Sequence, residues 1–284
     1  MAADPTPVSE TGQTVSIITV VKNGRDTIAE AMDSVLSQDF AQLEYIVIDG
    51  DSQDGTQEVI RRYERSLAYW VSEPDRGLAQ AFNKGLAKAS GDWIGLLNAD
   101  DWYEPRAVER SMAVSCGATV VHGWMRHWRP DGTSELWLPR VRGLKREMSI
   151  AHPTCFVRRE AYRRYGRFDE SFECGMDYEF VLRLYLAGER FVEVPAVTAN
   201  MRAGGKSEMN WRLARREERR AKVKNGRWRA AAWLEHGWVL GRRRLRLALE
   251  RAGLQAAVRA YRARYTPVRK VTDSSRQVPP ALPR

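Results

Sequence analysis

The sequence is short of cysteine, of long apolar runs and of nucleotide-loop signatures, and each shortage removes a class of protein. Three cysteines occur, Cys116, Cys155 and Cys174, an odd number with no CxxC pair. They make neither a disulfide framework nor a cysteine zinc site, and three reduced thiols in a cytosolic protein are expected. The opening residues, MAADPTPVSETGQTV, carry no basic n-region and no apolar h-region, so they do not read as a signal peptide. No stretch approaches the roughly 18 apolar residues of a membrane span, which predicts a soluble or peripheral protein. Neither GxGxxG nor GxxxxGK[ST] is present, which argues against a dinucleotide dehydrogenase and a P-loop nucleotidase.

What is present suffices for a large α/β domain with an appendage. The 284 residues are 43% hydrophobic, enough to bury a core. Charge is unevenly spread. Residues 205–284 hold 22 of the 46 lysines and arginines but only 6 of the 36 acidic residues, a net of +16. The remaining 24 basic and 30 acidic residues leave the body at −6, so the mildly acidic body and the basic tail are separate problems.

Along the body, strand and helix signals alternate. VSIITVV (15–21), LEYIVI (43–48), 67–71 and WIGLL (93–97) read as buried parallel strands, and 25–37, 56–65 and 77–89 carry apolar residues at helical spacing. That βαβα order predicts a doubly wound, mostly parallel sheet with ligands beyond the carboxyl ends of its strands. Further on, 119–128 and 134–138 flank Pro130-Asp131-Gly132, a hairpin signal. Strands over 153–157 and 191–197 and a helix over 177–187 complete the body. Past Ser207 the chain turns Arg-rich and helical, with Trp211, Trp228, Trp233 and Trp238 among the arginines. The Pro/Ser-rich end, 271–284, reads as disordered.

The candidate chemistry sits at strand ends. Asp49 closes the second strand in DGDSQDGT; a carboxylate there can accept the imino N–H of uracil, thymine or guanine, and suits adenine or cytosine poorly. The same residues also fit a polar turn chosen for backbone shape. They do not fit an EF-hand loop, whose sixth and twelfth positions would be Asp54 and Ile60. Asp100 and Asp101 close the fourth strand, and adjacent carboxylates leaving an apolar run need a cation or donors to offset them. Hard oxygen ligands at an open position suit Mg²⁺ or Mn²⁺ bound with substrate phosphates; a helix N-cap is the alternative for Asp101. Arg76, ahead of the helix carrying Asn83, is a candidate phosphate-side donor. Asp177 opens a helix and can serve as a general base toward an acceptor hydroxyl or as an N-cap. His152 is a candidate for contact with phosphate or acceptor.

These segments together resemble the inverting glycosyltransferases of family 2. The likeness runs from about Val15 to Ser207 through SIITVVKNG…SVLSQ, EYIVIDGDSQDGT, SEPDRGLAQAFNKGLAKASGDWIGLLNADD, HPTCFVRREAYRRYGRFDESF, GMDYEFVLRL and GGKS. It implies the GT-A fold, a Rossmann-like mixed and mainly parallel sheet flanked by helices, here with a C-terminal basic helical appendage. The implied division is a flexible 1–14, a glycosyltransferase domain over 15–205, basic amphipathic helices over 206–270 and a disordered 271–284. By the resemblance Asp49 is the base-recognising aspartate, Asp101 the metal ligand, Asp100 a ribose or metal contact, and Asp177 the catalytic base. Thr19 and Asn23 would line the nucleotide pocket with Arg76 and Asn83. The chain departs from the family pattern at Gly50, Gln80 and Met176, where acids are frequent.

The implied reaction moves a sugar from a nucleoside diphosphate, UDP first among them, to a hydroxyl of a glycan or lipid-linked acceptor, as in bacterial polysaccharide biosynthesis. The tail's arginines and tryptophans suit an anionic membrane surface. The expectation is a cytoplasmic enzyme peripheral on the inner face of the cell membrane, with no nucleic acid as partner. The alternative is a nucleic-acid- or membrane-binding scaffold on an inactive transferase fold, raised by the sequence pI of about 9.7.

Overall fold

A computed structural model describes residues 12–254, 256–258, 260–261 and 268–271. The flexibility expected of 1–14 and the disorder expected of 271–284 lie almost wholly outside the described residues.

Parallel pairing organises the first hundred residues. The strands β1 (Val15–Val21), β2 (Leu43–Asp49), β3 (Tyr69–Ser72) and β4 (Trp93–Asn98) lie in the order β3-β2-β1-β4, all parallel. The connecting helices are α1 (Ile28–Leu36), α2 (Thr56–Arg62) and α3 (Leu78–Lys88). Because side chains alternate along a strand, each strand feeds two cores. Ile18, Val20, Ile46, Ile48, Ile94 and Leu96 face Phe82 and Leu86 of α3. Val15, Ile17, Tyr45, Val47, Trp93 and Leu97 face Ile28, Met32 and Val35 of α1. Runs apolar on both faces are what a sheet covered on both sides requires.

The second half is mixed. After β5 (Trp102–Tyr103) and α4 (Ala107–Ala113) come β6 (Val120–Trp128) and β7 (Ser134–Trp137), the expected hairpin, with Trp128 opposite Ser134. A 3-10 turn at His152–Thr154 precedes β8 (Phe156–Arg158), which runs antiparallel between β4 and β6. There follow α5 (Arg159–Tyr165), α6 (Met176–Leu186) and β9 (Phe191–Arg202), parallel to β6. β9 runs five residues past the expected end at 197, because it leaves β6 only at Trp128–Arg202. The expected strand over 153–157 begins as the 3-10 turn and becomes strand only from Phe156, since Pro153 removes a ladder donor.

The basic tail folds as α7 (Lys206–Met209), α8 (Trp211–Lys224) and α9 (Arg229–Arg251), and β10 (Val268–Val271) pairs antiparallel with β7. Ion pairs fasten α8 and α9 to the body. Arg215 and Arg242 both reach Glu147 at 3.5 and 3.0 Å, and Lys222, 4% exposed, pairs with Glu235. Among the described residues no helix is long and apolar enough to cross a membrane. All three cysteines are free thiols.

Candidate active site

Strand register sets the donor side. Val21 of β1 lies beside Asp49, and Val20 beside Asn98, so three loops leave the sheet at one level. Adjacent strands are about 4.8 Å apart, which puts the ends of β2 and β4 about 10 Å from each other across β1. Asp49 is fully buried and accepts three hydrogen bonds: from the Ser52 N–H at 3.0 Å and from the Ser52 and Ser72 hydroxyls at 2.5 Å each. The Ser52 hydroxyl in turn accepts the Asn23 N–H at 2.7 Å, and the Asn23 carbonyl accepts the Gln53 N–H at 2.9 Å. Asp49 is thus the anchor of both turns, with about one of a carboxylate's four lone-pair sites left for a base.

Three residues expected on the donor side are already engaged within the protein. Thr19 does not reach the cleft: it is fully buried in mid-strand and accepts the Tyr45 hydroxyl at 3.0 Å, on the face that packs against α1. The alternation of a buried strand puts it there. Asn83 and Arg76 are already engaged. The Asn83 amide donates to the Phe168 carbonyl at 2.9 Å and accepts its N–H at 3.1 Å, while Arg76 pairs with Glu170 at 2.8 Å. Asp75, which the sequence did not single out, lies against the turn after β2. A Cβ on Gly50 would lie 2.3 Å from the Asp75 carboxylate, so the absent side chain at 50 is what lets Asp75 sit against the β2 turn. Its other oxygen accepts the Gly77 N–H at 2.8 Å.

The acid pair is built to be incomplete. Asp101 is 1% exposed; one oxygen accepts from the Asn98 amide at 3.3 Å, and the other is buried with no partner, as is the Asn98 carbonyl oxygen. Burial and then the neighbouring Asp100 push the Asp101 carboxyl well above the usual carboxylate range. An orphaned buried oxygen under this strain fits a divalent cation. Among the described residues no three His, Cys, Asp or Glu side chains gather into a closed metal site, so substrate phosphates would have to complete the shell, as Mg²⁺ and Mn²⁺ sites allow. Asp101 is not a helix cap, since α4 starts at Ala107 after Arg106. Arg202, delivered by the extra length of β9, donates to the Asp100 carbonyl at 2.8 Å.

Asp177 lies beside His152. It lies one residue inside α6, whose N-cap is Gly175, and one oxygen accepts the Tyr178 N–H at 2.7 Å. The other is 3.9 Å from His152 Nδ1, and a quarter of the side chain reaches solvent. Burial pushes the carboxyl up to about 6, with the charge of Glu217 adding to the rise. Burial likewise pushes His152 down to about 4, against the pull of Asp100. The imidazole is therefore neutral at physiological pH, with Nε2 buried and unpartnered. His152 joins the two carboxylate groups: the charge of Asp100 is felt at its ring, and Asp177 lies beside it. A carboxylate raised toward neutrality beside a neutral imidazole can take a proton from a hydroxyl.

A mixed sheet whose parallel β3-β2-β1-β4 half is covered by helices on both faces is the architecture this chain shares with solved glycosyltransferases of the GT-A fold. Residues 16–166 match the description "Glycosyl transferase family 2", and the chain belongs to that family. An uncharacterized glycosyltransferase of Mycobacterium tuberculosis is 32% identical over 196 residues, covering 62% of this chain and 70% of that protein. A hyaluronan synthase of Pasteurella multocida is 29% identical over 188 residues, 62% of this chain but only 19% of its own length. Among solved structures, mannosyltransferase PcManGT from Pyrobaculum calidifontis, in complex with GDP-Man and Mn²⁺, superposes with a TM-score of 0.64 at 19% identity, over 93% of this chain and 86% of that one. S. aureus TarS 1–349 with UDP gives 0.61 at 18% identity, over 81% and 71%.

Proposed function

We propose that this glycosyltransferase is an inverting enzyme with a nucleoside diphosphate sugar as donor and a hydroxyl of a glycan or lipid-linked molecule as acceptor. What supports the reading is the Asp177 carboxylate 3.9 Å from His152 Nδ1, with burial pushing its carboxyl up to about 6. Asp177 takes the proton of the acceptor hydroxyl. The freed oxygen attacks the anomeric carbon from the face opposite the leaving group, and the bond to the diphosphate oxygen breaks. Asp101, with the orphaned Asn98 oxygen near it, would hold Mg²⁺ or Mn²⁺, which supplies charge neutralisation for the departing diphosphate. The Asn23, Ser52 and Asp49 turns, with Asp75, would cradle the nucleoside; UDP and GDP are both bound by proteins of similar fold.

The test is a thermal-shift panel of UDP-, GDP- and dTDP-sugars with and without Mn²⁺, followed by assay of nucleoside diphosphate release. A metal-dependent rise for one base is expected. No shift and no release with any donor would leave the family fold without this activity.

Membrane attachment on the cytoplasmic face belongs to the same proposal. Ala232 and Val239 of α9 are buried, while Leu234, Trp238 and Leu245 on its other side are 76%, 59% and 53% exposed. Exposed apolar side chains on a helix rich in arginine fit an anionic bilayer. Co-sedimentation with phosphatidylserine vesicles is expected, with weaker pelleting on neutral phosphatidylcholine and for a Leu234→Glu/Trp238→Glu variant. Equal pelleting in all three would end the idea.

A further inference from the structure

Nothing in α6 itself explains where Asp177 stands. The helix begins at Met176, and the residues ahead of it, 169–175, form a strap with no regular structure between α5 and α6. This strap is held from both sides. On one side Glu170 accepts from Arg76, Gln80 and Asn83 around α3, at 2.8, 3.1 and 3.2 Å. On the other, three residues of α8 spaced i, i+3 and i+7 grip it in turn. Lys224 lies 2.8 Å from Asp169 and 3.0 Å from Glu179. Arg220 donates to the Ser171 carbonyl at 3.0 Å and covers the Phe172 ring at 4.3 Å.

Glu217 makes the third grip. Only 5% exposed, its carboxylate accepts three successive backbone N–H groups: Glu173 at 3.0 Å, Cys174 at 2.8 Å and Gly175 at 2.8 Å. Three donors converging within one peptide run match the lone pairs of an ionised carboxylate. A Cβ on Gly175 would lie 3.0 Å from the Glu217 Cβ, so the glycine ahead of Asp177 gives α8 its close approach.

We propose that Glu217 is a positioning residue for the transfer reaction: by fixing the 173–175 N–H groups it sets where Asp177 stands, which makes α8 part of the catalytic apparatus. This rests on the reading of Asp177 as the base. The ionisable groups facing Asp177 are His152 and Cys155 from the turn ahead of β8 and Glu217 from α8. Of these, Glu217 is the one whose negative charge adds to the rise of the Asp177 carboxyl. Position and charge therefore act through the same side chain and can be separated by substitution.

The test uses the full chain with two variants, assayed for nucleoside diphosphate release from UDP-, GDP- and dTDP-sugars with Mn²⁺. Glu217→Gln keeps a carbonyl acceptor but removes the charge. It should lower kcat about tenfold, leave KM for the donor within about twofold and move the acid limb of the kcat profile to lower pH. Glu217→Asp keeps the charge but draws it back by one methylene; it should lower kcat with the acid limb in place. Carbon NMR of the Asp177 carboxyl gives the same answer without turnover, with a lower titration midpoint in Glu217→Gln alone. Either folded variant with unchanged kcat, or a loss that falls equally on nucleotide affinity, overturns the positioning role. An inactive Asp177→Asn beside wild-type behaviour of both Glu217 variants overturns this role alone; turnover surviving in Asp177→Asn removes the base reading beneath it.

Discussion

Asp101 and Asp177 owe their places to different parts of the chain. Asp101 follows directly from β4, whose register with β1 and β2 brings the three loop starts to one level; backbone pairing between near neighbours does the placing. Asp177 sits on a helix whose entry strap is fixed by side chains from α3 and α8, 90 residues before their strap partner and 44 after. The strand-end acids are thus positioned by ladders of main-chain bonds, and Asp177 by the buried Glu217 and the more exposed Glu170, Arg76, Arg220 and Lys224. A ladder shares its load over many bonds, whereas one lost carboxylate leaves several buried N–H groups unpaired.

The sharpest way to break the comparison is to remove the two functions separately. Asp177→Asn keeps shape but not basicity, and should lower kcat about 10²–10⁴-fold, the range of general base catalysis, with nucleotide affinity from isothermal titration nearly unchanged. Loss of binding as well would mean that the two sides are not independent. Next in size is Asp101→Ala, which should weaken Mn²⁺-dependent nucleotide binding about a hundredfold, given several kcal/mol for a metal on phosphate. Affinity that is the same with and without EDTA in the wild type would contradict the metal role.

Acidity separates the sides a third way. The Asp177 carboxyl is raised to about 6, mainly by burial, and the base works only when ionised. The kcat should therefore be flat above pH 7 and fall about tenfold per unit as pH drops below about 6. Nucleotide binding without metal does not use that proton, so its affinity should stay level across about pH 5.5 to 7.5. A limb at the same pH in both profiles would trace to something other than the base.

The same contrast decides what could be read from the sequence. The β1–β4 half was legible because its signals are local: apolar runs of strand length, helical spacing between them, and acids at the strand ends. Asp49, Asp100 and Asp101 stood out for that reason. Thr19 misled because its neighbourhood in a motif says nothing about which face of the strand it takes; the Tyr45 hydroxyl across the ladder decides that. Asp75 was hidden behind Gly50, where the informative feature is a missing side chain. Arg202 was missed with the last five residues of β9. The basic tail was read as an appendage from its charge, and α9 keeps that look. The pattern Glu217/Arg220/Lys224 in α8 carries no local sign of its target, since a helix stripe of charged residues is most often a solvated face. Only the folded chain shows that it grips 169–175.

The smallest effect tests the α3 side of that grip. Asn83 donates to the Phe168 carbonyl and accepts its N–H while also reaching Glu170. Asn83→Ala strips two backbone groups of their partners in a partly buried place. The cost should be about 1–2 kcal/mol, a fall in Tm of about 3–6 °C for a chain this size. Because α8 still holds the strap through Glu217, Arg220 and Lys224, kcat should drop no more than about threefold, far less than for Asp177→Asn. If Asn83 instead contacted the nucleotide, its removal would raise Kd for the nucleoside diphosphate and leave Tm nearly alone. The two readouts move in opposite patterns, so one variant measured by calorimetry and by titration decides whether this asparagine serves the strap or the ligand.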